Sequence, residues 1–208
     1  LVPGWISRAV RPGHAGFVEL FDPADPDREP GPVRTTLVSA RLTYVFSHAH
    51  LLDPQGDALA AARHGFAFLR DTCREGGRGR FLHSVHEDGT PVDARTDLYD
   101  LAFVLFAMAW YYRATRDDQA LAIANEVIGF IEGEMAHPPG GFAEDTLGTL
   151  PRRQNPHMHL LEAFHALAEA TGEQRWLDHA NAIVRLARQH LVDAETDTLG
   201  EYFTDDWK

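Results

Sequence analysis

The sequence predicts an all-α fold built from three helical hairpins, and three observations point to it. Apolar residues recur at three and four spacing through six segments: 34–52, 57–75, 97–115, 117–136, 156–171 and 173–192. The segments repeat. "ALAAA" at 58–62 returns as "ALAIA" at 120–124 and more loosely as "WLDHA" at 176–180, with periods of 62 and then 56; "AFVLFA" at 102–107 matches "AFHALA" at 163–168 with a period of 61. The connections alternate too, short within each pair (53–56, 116, 172) and long between pairs (76–96, 137–155, 193 onward). Helices joined by a short link lie antiparallel, so every long link falls on one rim.

Taken in order, residues 1–32 lack this pattern and are expected to be an irregular N-terminal segment of a single domain spanning 1–208. The helix 34–52 carries Arg41, Tyr44 and His48 at i, i+3 and i+7, a polar face that no core needs. The link "GRFLHSVHEDGTPV" reads as a β-hairpin with Asp88-Gly89 at its tip. Its His83 and His86 point to opposite faces of a strand, which favours a hairpin over a metal site. Tyr99 and Asp100 fall in the first turn of the third helix, where Asp100 complements the helix dipole. "GGFAEDTLGTLP" and "LGEYFTDDW" repeat the hairpin composition. Long loops gathered on one rim of a rigid scaffold are where a site is expected.

Composition narrows the function. The chain has 208 residues, 44% of them hydrophobic, enough for one large core or for part of a larger one. With 31 acidic against 19 basic residues, the net charge of −12 repels phosphate backbones and anionic lipid, so neither nucleic acid nor a membrane is an expected partner. A single cysteine, Cys73, excludes an internal disulfide, and no apolar run approaches the roughly 20 residues that span a bilayer. A cytoplasmic location fits.

"RRQNPHMHLLEAF", residues 152–164, concentrates the chemistry. Asn155 before Pro156 suits an N-cap followed by proline at the first helical position, which would put this helix start on the loop rim. Asn155, Met158, His159 and Glu162 then share a face. His157 lies about 200° around the helix from His159, poor geometry for a shared metal. A histidine beside a carboxylate suits polyol recognition or proton transfer. Each residue alone has a plainer reading as cap, core filling or first-turn polar residue; four chemistries on one face favour a site.

"SARLTYVFSHAH" at 39–50, "DLYDLAFVLFAMA" at 97–109 and "NPHMHLLEAF" at 155–164 resemble the N-acylglucosamine 2-epimerase family, which includes mannose isomerases, related aldose–ketose isomerases and cellobiose 2-epimerases. The resemblance runs over nearly the whole chain. It implies an (α/α)6 barrel of twelve helices, with β-hairpin loops on one rim, of which this chain supplies about the first half. It further implies that Arg41, Tyr99, Asn155, Met158 and His159 contact sugar, with Glu162 as the carboxylate one turn further on. The chemistry implied needs neither metal nor cofactor: a pair of histidines in the second half of the barrel moves a proton at C2, or between C1 and C2, through an enediol-like intermediate. The candidate set is therefore His159 and Glu162 as catalytic residues, and Arg41, Tyr44, Tyr99, Asn155, His157 and Met158 as substrate-binding residues.

The expected partner is a small sugar. No Lys/Arg cluster or phosphate-cradling glycine loop is present, which favours an unphosphorylated one; a homodimer is compatible. Three hairpins leave a barrel edge uncovered, so a fragment of a longer chain is expected. A glycoside hydrolase on the same architecture is the alternative enzyme. It needs two carboxylates roughly 5–9.5 Å apart, for which Glu144, Asp145 and Glu162 are the candidates. A non-catalytic helical scaffold is the third reading, and it leaves Arg41, Asn155 and His159 unexplained.

Overall fold

The computed structural model describes residues 2–208 apart from 21, 23, 26, 27, 29 and 30. A short helix, α1 (Val2–Ala9), lies within the segment expected to be irregular, part of which falls outside the described residues. Pro3 near its start costs no hydrogen bond, because first-turn N–H groups have no partner within the helix. Three inner helices then stand side by side: α2 (Thr36–Leu52), α4 (Leu98–Thr115) and α6 (Gln154–Thr171). Each packs on the outer helix that follows it, α3 (Ala58–Phe68), α5 (Asp118–Glu134) and α7 (Gln174–Leu186). Single π-helical turns, Leu69–Cys73 and Ala187–Leu191, prolong α3 and α7.

Position in this array decides which faces are apolar. α4 is flanked by α2 and α6 and backed by α5, so it buries Leu98, Leu101, Val104, Leu105 and Met108 all round. α7, which packs mainly on α6, buries a single stripe of Trp176, Ala180, Ile183 and Leu186. Each fully buried side chain of this size stabilises by roughly 1.5–3 kcal/mol. In the second and third hairpins the chain turns on one left-handed residue, Arg116 (φ 58°) or Gly172 (φ 74°), whose N–H bonds back to Tyr112 or Ala168.

The other rim is built three times over. The segment entering each inner helix pairs, antiparallel, with the link that follows its outer partner. β1 (Val33–Thr35) pairs with β4 (Ser84–His86), Asp97 bridges to Asp145, and β6 (Arg152–Arg153) pairs with β9 (Tyr202–Phe203). The links carry their own small hairpins: β2 (Arg74–Glu75) with β3 (Arg80–Phe81), the bridge Ala136 to Phe142, and β7 (Val192–Asp193) with β8 (Thr198–Leu199). β4 also pairs with β5 (Pro91–Asp93), giving the hairpin expected around Asp88-Gly89. Gly79 shows how tightly these links sit: at φ 76°, an added Cβ would lie 2.0 Å from the Glu126 carbonyl oxygen.

Two buried arginines lock the rim at equivalent places, two residues ahead of α2 and α6. Arg34 donates to the Ala15 and Gly31 carbonyls and pairs with Glu87. Arg152 donates to the Phe142 carbonyl and to Asp205. Capping is local. Thr35 Oγ1 accepts from the Val38 N–H, and Asp97 Oδ1 from the Tyr99 N–H. α6 differs from expectation, because its N-cap is Arg153 and Asn155 already lies inside the first turn. No helix among the described residues is long and apolar enough to cross a membrane.

Candidate functional site

The repeat brings the candidate residues to common levels. Arg41, Phe103 and His159 are each the sixth residue of their inner helix, while Tyr44, Phe106 and Glu162 are each the ninth. At the upper level the Arg41 guanidinium lies 4.3 Å over the Phe103 ring and donates to the Tyr99 hydroxyl at 2.7 Å. His159 packs against the same platform, its ring centre 4.7 Å from Phe103 and 5.1 Å from Tyr99, edge-on to the latter. Its Nδ1 is 2.7 Å from Glu162 Oε2. A carboxylate there accepts the Nδ1–H and leaves Nε2 for another group.

Asn155 and Met158 stand on the same face of α6, about two turns and one turn before Glu162. Asn155 Oδ1 is buried with no partner among the described residues. An acceptor left without a donor costs about 1–3 kcal/mol. Met158 is 40% exposed, an apolar surface next to it. Tyr44 lies a level lower in an aromatic cluster, with ring centres 4.6 Å from Phe106 and 5.5 Å from Trp110.

His157 is a correction. Expected to bind substrate, it is fully buried, with Nε2 accepting the Phe142 N–H at 3.1 Å and Nδ1 donating to the Arg153 carbonyl at 3.3 Å. Burial pushes its pKa down to about 4. Both nitrogens are used in tying α6 to the rim link, so this histidine is structural. Among the described residues, no three His, Cys, Asp or Glu side chains stand close enough together to hold a metal.

The hydrolase alternative fares poorly on geometry. Glu144 is buried and its carboxylate accepts from the Arg153 N–H and Nε; burial raises its pKa despite those bonds. Asp145 is buried too, accepting from the Leu147 and Thr149 N–H groups. Of the three proposed acids only Glu162 is open. Sequence reasoning also missed Phe103, hidden in the apolar run "LAFVLFAMA". Its repeat position, shared with Arg41 and His159, is the signal that finds it.

A model of the N-acylglucosamine 2-epimerase (GlcNAc 2-epimerase) family matches residues 16–208. The chain belongs to this family. It is 33% identical to the mannose-6-phosphate isomerase of Rhizobium meliloti over 99% of this chain and 54% of the relative. It is 31% identical to the D-mannose isomerase of Thermobifida fusca over 96% and 49%. Among solved structures, cellobiose 2-epimerase from Spirochaeta thermophila superposes with a TM-score of 0.88 at 29% identity, over all of this chain and 54% of that one. The fold is thus the family's (α/α)6 barrel, and the chain spans about half the length of these relatives.

Proposed function

We propose that the protein is a sugar isomerase or epimerase acting on an unphosphorylated aldose or ketose of the mannose type, or on an N-acylglucosamine-type sugar, by proton transfer at C2 or between C1 and C2. The observation that carries this reading is the wall formed by Arg41, Tyr99, Phe103, His159 and Glu162, with the unpartnered Asn155 Oδ1 above it. It offers hydroxyl-sized donors and acceptors around an aromatic platform, and no pair of open carboxylates. Glu162 orients His159, so that its Nε2 meets a sugar hydroxyl, while Arg41 supplies a donor fork beside it. We place the two proton-transferring histidines in the half of the barrel outside these residues.

A phosphate is disfavoured. The 54%-exposed Glu162 carboxylate, beside His159, repels an anion, and among the described residues no second cationic side chain joins Arg41 in the wall. The protein works in the cytoplasm, as a monomer or homodimer, where the buried free thiol of Cys73 stays reduced. The test is to incubate the full-length protein in deuterated water with lyxose, mannose, glucose, cellobiose and mannose 6-phosphate, and to follow C1 and C2 by NMR. Deuterium entering C2, or interconversion of aldose and ketose, is expected for an unphosphorylated sugar. Hydrolysis of a glycosidic bond without exchange would overturn the reading.

A further inference from the structure

The rim repeat holds one residue that the site described so far does not use. The N-terminal segment and each long link place a phenylalanine and then, two residues on, a titratable side chain: Phe17 and Glu19, Phe81 and His83, Phe142 and Glu144, Phe203 and Asp205. All but His83 serve helix entries, Asp205 by pairing with Arg152 just ahead of α6. Glu19 accepts from the N–H and hydroxyl of Thr35, the N-cap of α2, and Glu144 from the N–H and Nε of Arg153, the N-cap of α6. His83 bonds to no N-cap residue; its partner is Asp100, inside the first turn of α4.

His83 is held in another way. Its Nδ1 lies 2.7 Å from Oδ2 of Asp100, a buried carboxylate in the first turn of α4. Its carbonyl accepts the Thr36 N–H at the start of α2. The ring is therefore fixed between the entries of α2 and α4, the two helices joined one level deeper by the bond from Arg41 to Tyr99. Asp100 follows Tyr99 directly in the chain. Glu19 lies close enough to interact electrostatically with His83, and shares with Arg41 a groove of about 300 Å³. The side chain is 26% exposed, and Nε2 carries no hydrogen bond among the described residues.

We propose that His83, held by Asp100, is a further substrate-contacting residue: its Nε2 exchanges a hydrogen bond with a sugar hydroxyl that projects toward the rim from Arg41 and Tyr99. This rests on the sugar-site reading above. The pair also gives the contact a pH dependence. The Asp100 bond holds the His83 imidazole protonated to higher pH than usual, against burial and the charge of Arg95, with Asp97 adding to it and Glu19 facing it from the N-terminal segment. As pH rises through that titration, Nε2 turns from donor to acceptor.

Two substitutions in the full-length protein separate contact from scaffolding. Asn in His83→Asn reproduces the Nδ1 donor to Asp100 and lacks Nε2, whereas Gln in His83→Gln reaches the Nε2 position and lacks the Asp100 bond. A substrate contact predicts that His83→Asn raises KM roughly tenfold, the worth of one hydrogen bond. Its melting temperature should be unchanged, and the pH dependence of KM above the ordinary histidine range should vanish. His83→Gln should keep KM closer to wild type. Wild-type kinetics in His83→Asn, with loss confined to the melting temperature of His83→Gln, would overturn the proposal and leave a structural pin. If Arg41→Ala and His159→Ala lower kcat/KM while His83→Asn leaves KM at the wild-type value, the inference alone fails; if no sugar exchanges at all, the functional reading fails and takes it down.

Discussion

His157 and His159 stand two residues apart on one helix and have been given opposite work. His157 faces inward, fully buried, with both ring nitrogens bonded to backbone and its pKa pushed down to about 4. His159 faces the wall with Arg41 and Phe103, its side chain 18% exposed and one nitrogen held by Glu162. Residue type and sequence neighbourhood are the same. The 200° between them on the helix decides which faces the core and which faces the wall. Removing the first should cost stability and spare chemistry; removing the second should do the reverse.

The largest expected effect is on turnover. His159→Ala and Arg41→Ala in the full-length protein should each lower kcat/KM by roughly 10²–10⁴ fold, the range for one positioned group that also holds the transition state. Steady-state kinetics on the active sugar, with thermal melts alongside, give the check: unchanged kinetics, or a protein that no longer melts cooperatively, would break the contrast.

His157 should show its cost in folding. His157→Ala opens a cavity and leaves the Phe142 N–H and the Arg153 carbonyl unpaired, a loss of about 2–4 kcal/mol, with KM of the remaining folded protein unchanged. The pH dependence has a definite sign. Its pKa is depressed from 6.5 to about 4 in the folded state, so the unfolded chain takes up the proton first. The contribution is whole above pH 6.5, and on falling through the window from 6.5 to about 4 it loses on the order of 3 kcal/mol. Urea midpoints at pH 7 and pH 4.5 for wild type and His157→Gln read this directly, the variant being the flatter of the two.

Glu162→Gln tests the other histidine more gently. Gln keeps the shape and can still accept from His159 Nδ1–H, but the charge is gone. A fall of about tenfold in kcat/KM is expected, in proportion to the difference between a charge-assisted and a neutral hydrogen bond. A loss as large as that of His159→Ala would make Glu162 more than an orienting partner.

The same helix shows what could be read from sequence. The three-four spacing and the repeat placed six helices within a few residues, because inner and outer faces bury different stripes. The start of α6 was misplaced since proline is tolerated throughout a first turn, so Pro156 marks an entry without fixing its first residue. Arg41 was legible, with Tyr44 and His48, as a polar face with no core to serve, and His159 as one of four chemistries on one helix face; Tyr99 entered the candidate set through the family resemblance. Phe103 was not legible, being one apolar residue among many, and the bond between His83 and Asp100 was not, because it joins a loop to a helix. Asp100 alone looked like a charge placed for the helix dipole. Local pattern shows which residues are out of place; only tertiary contact shows what they are paired with.

The smallest expected effect is none. "HMH" resembles a metal pair in sequence, yet a single ion cannot be shared by side chains on opposite sides of a helix. His157 has already spent its lone pair on the Phe142 N–H. The other two-apart pair fares no better: His48 stacks on Trp110 at 4.2 Å, and a helix turns His50 away from it by the same 200°. Metal-binding histidines on a helix come four apart, so that both face one ion. Dialysis of the full-length protein against EDTA should therefore leave kcat and KM unchanged. Stoichiometric zinc by elemental analysis, removed together with activity and restored with it, would show that His157 and His159 are not divided between core and site in the way their two environments require.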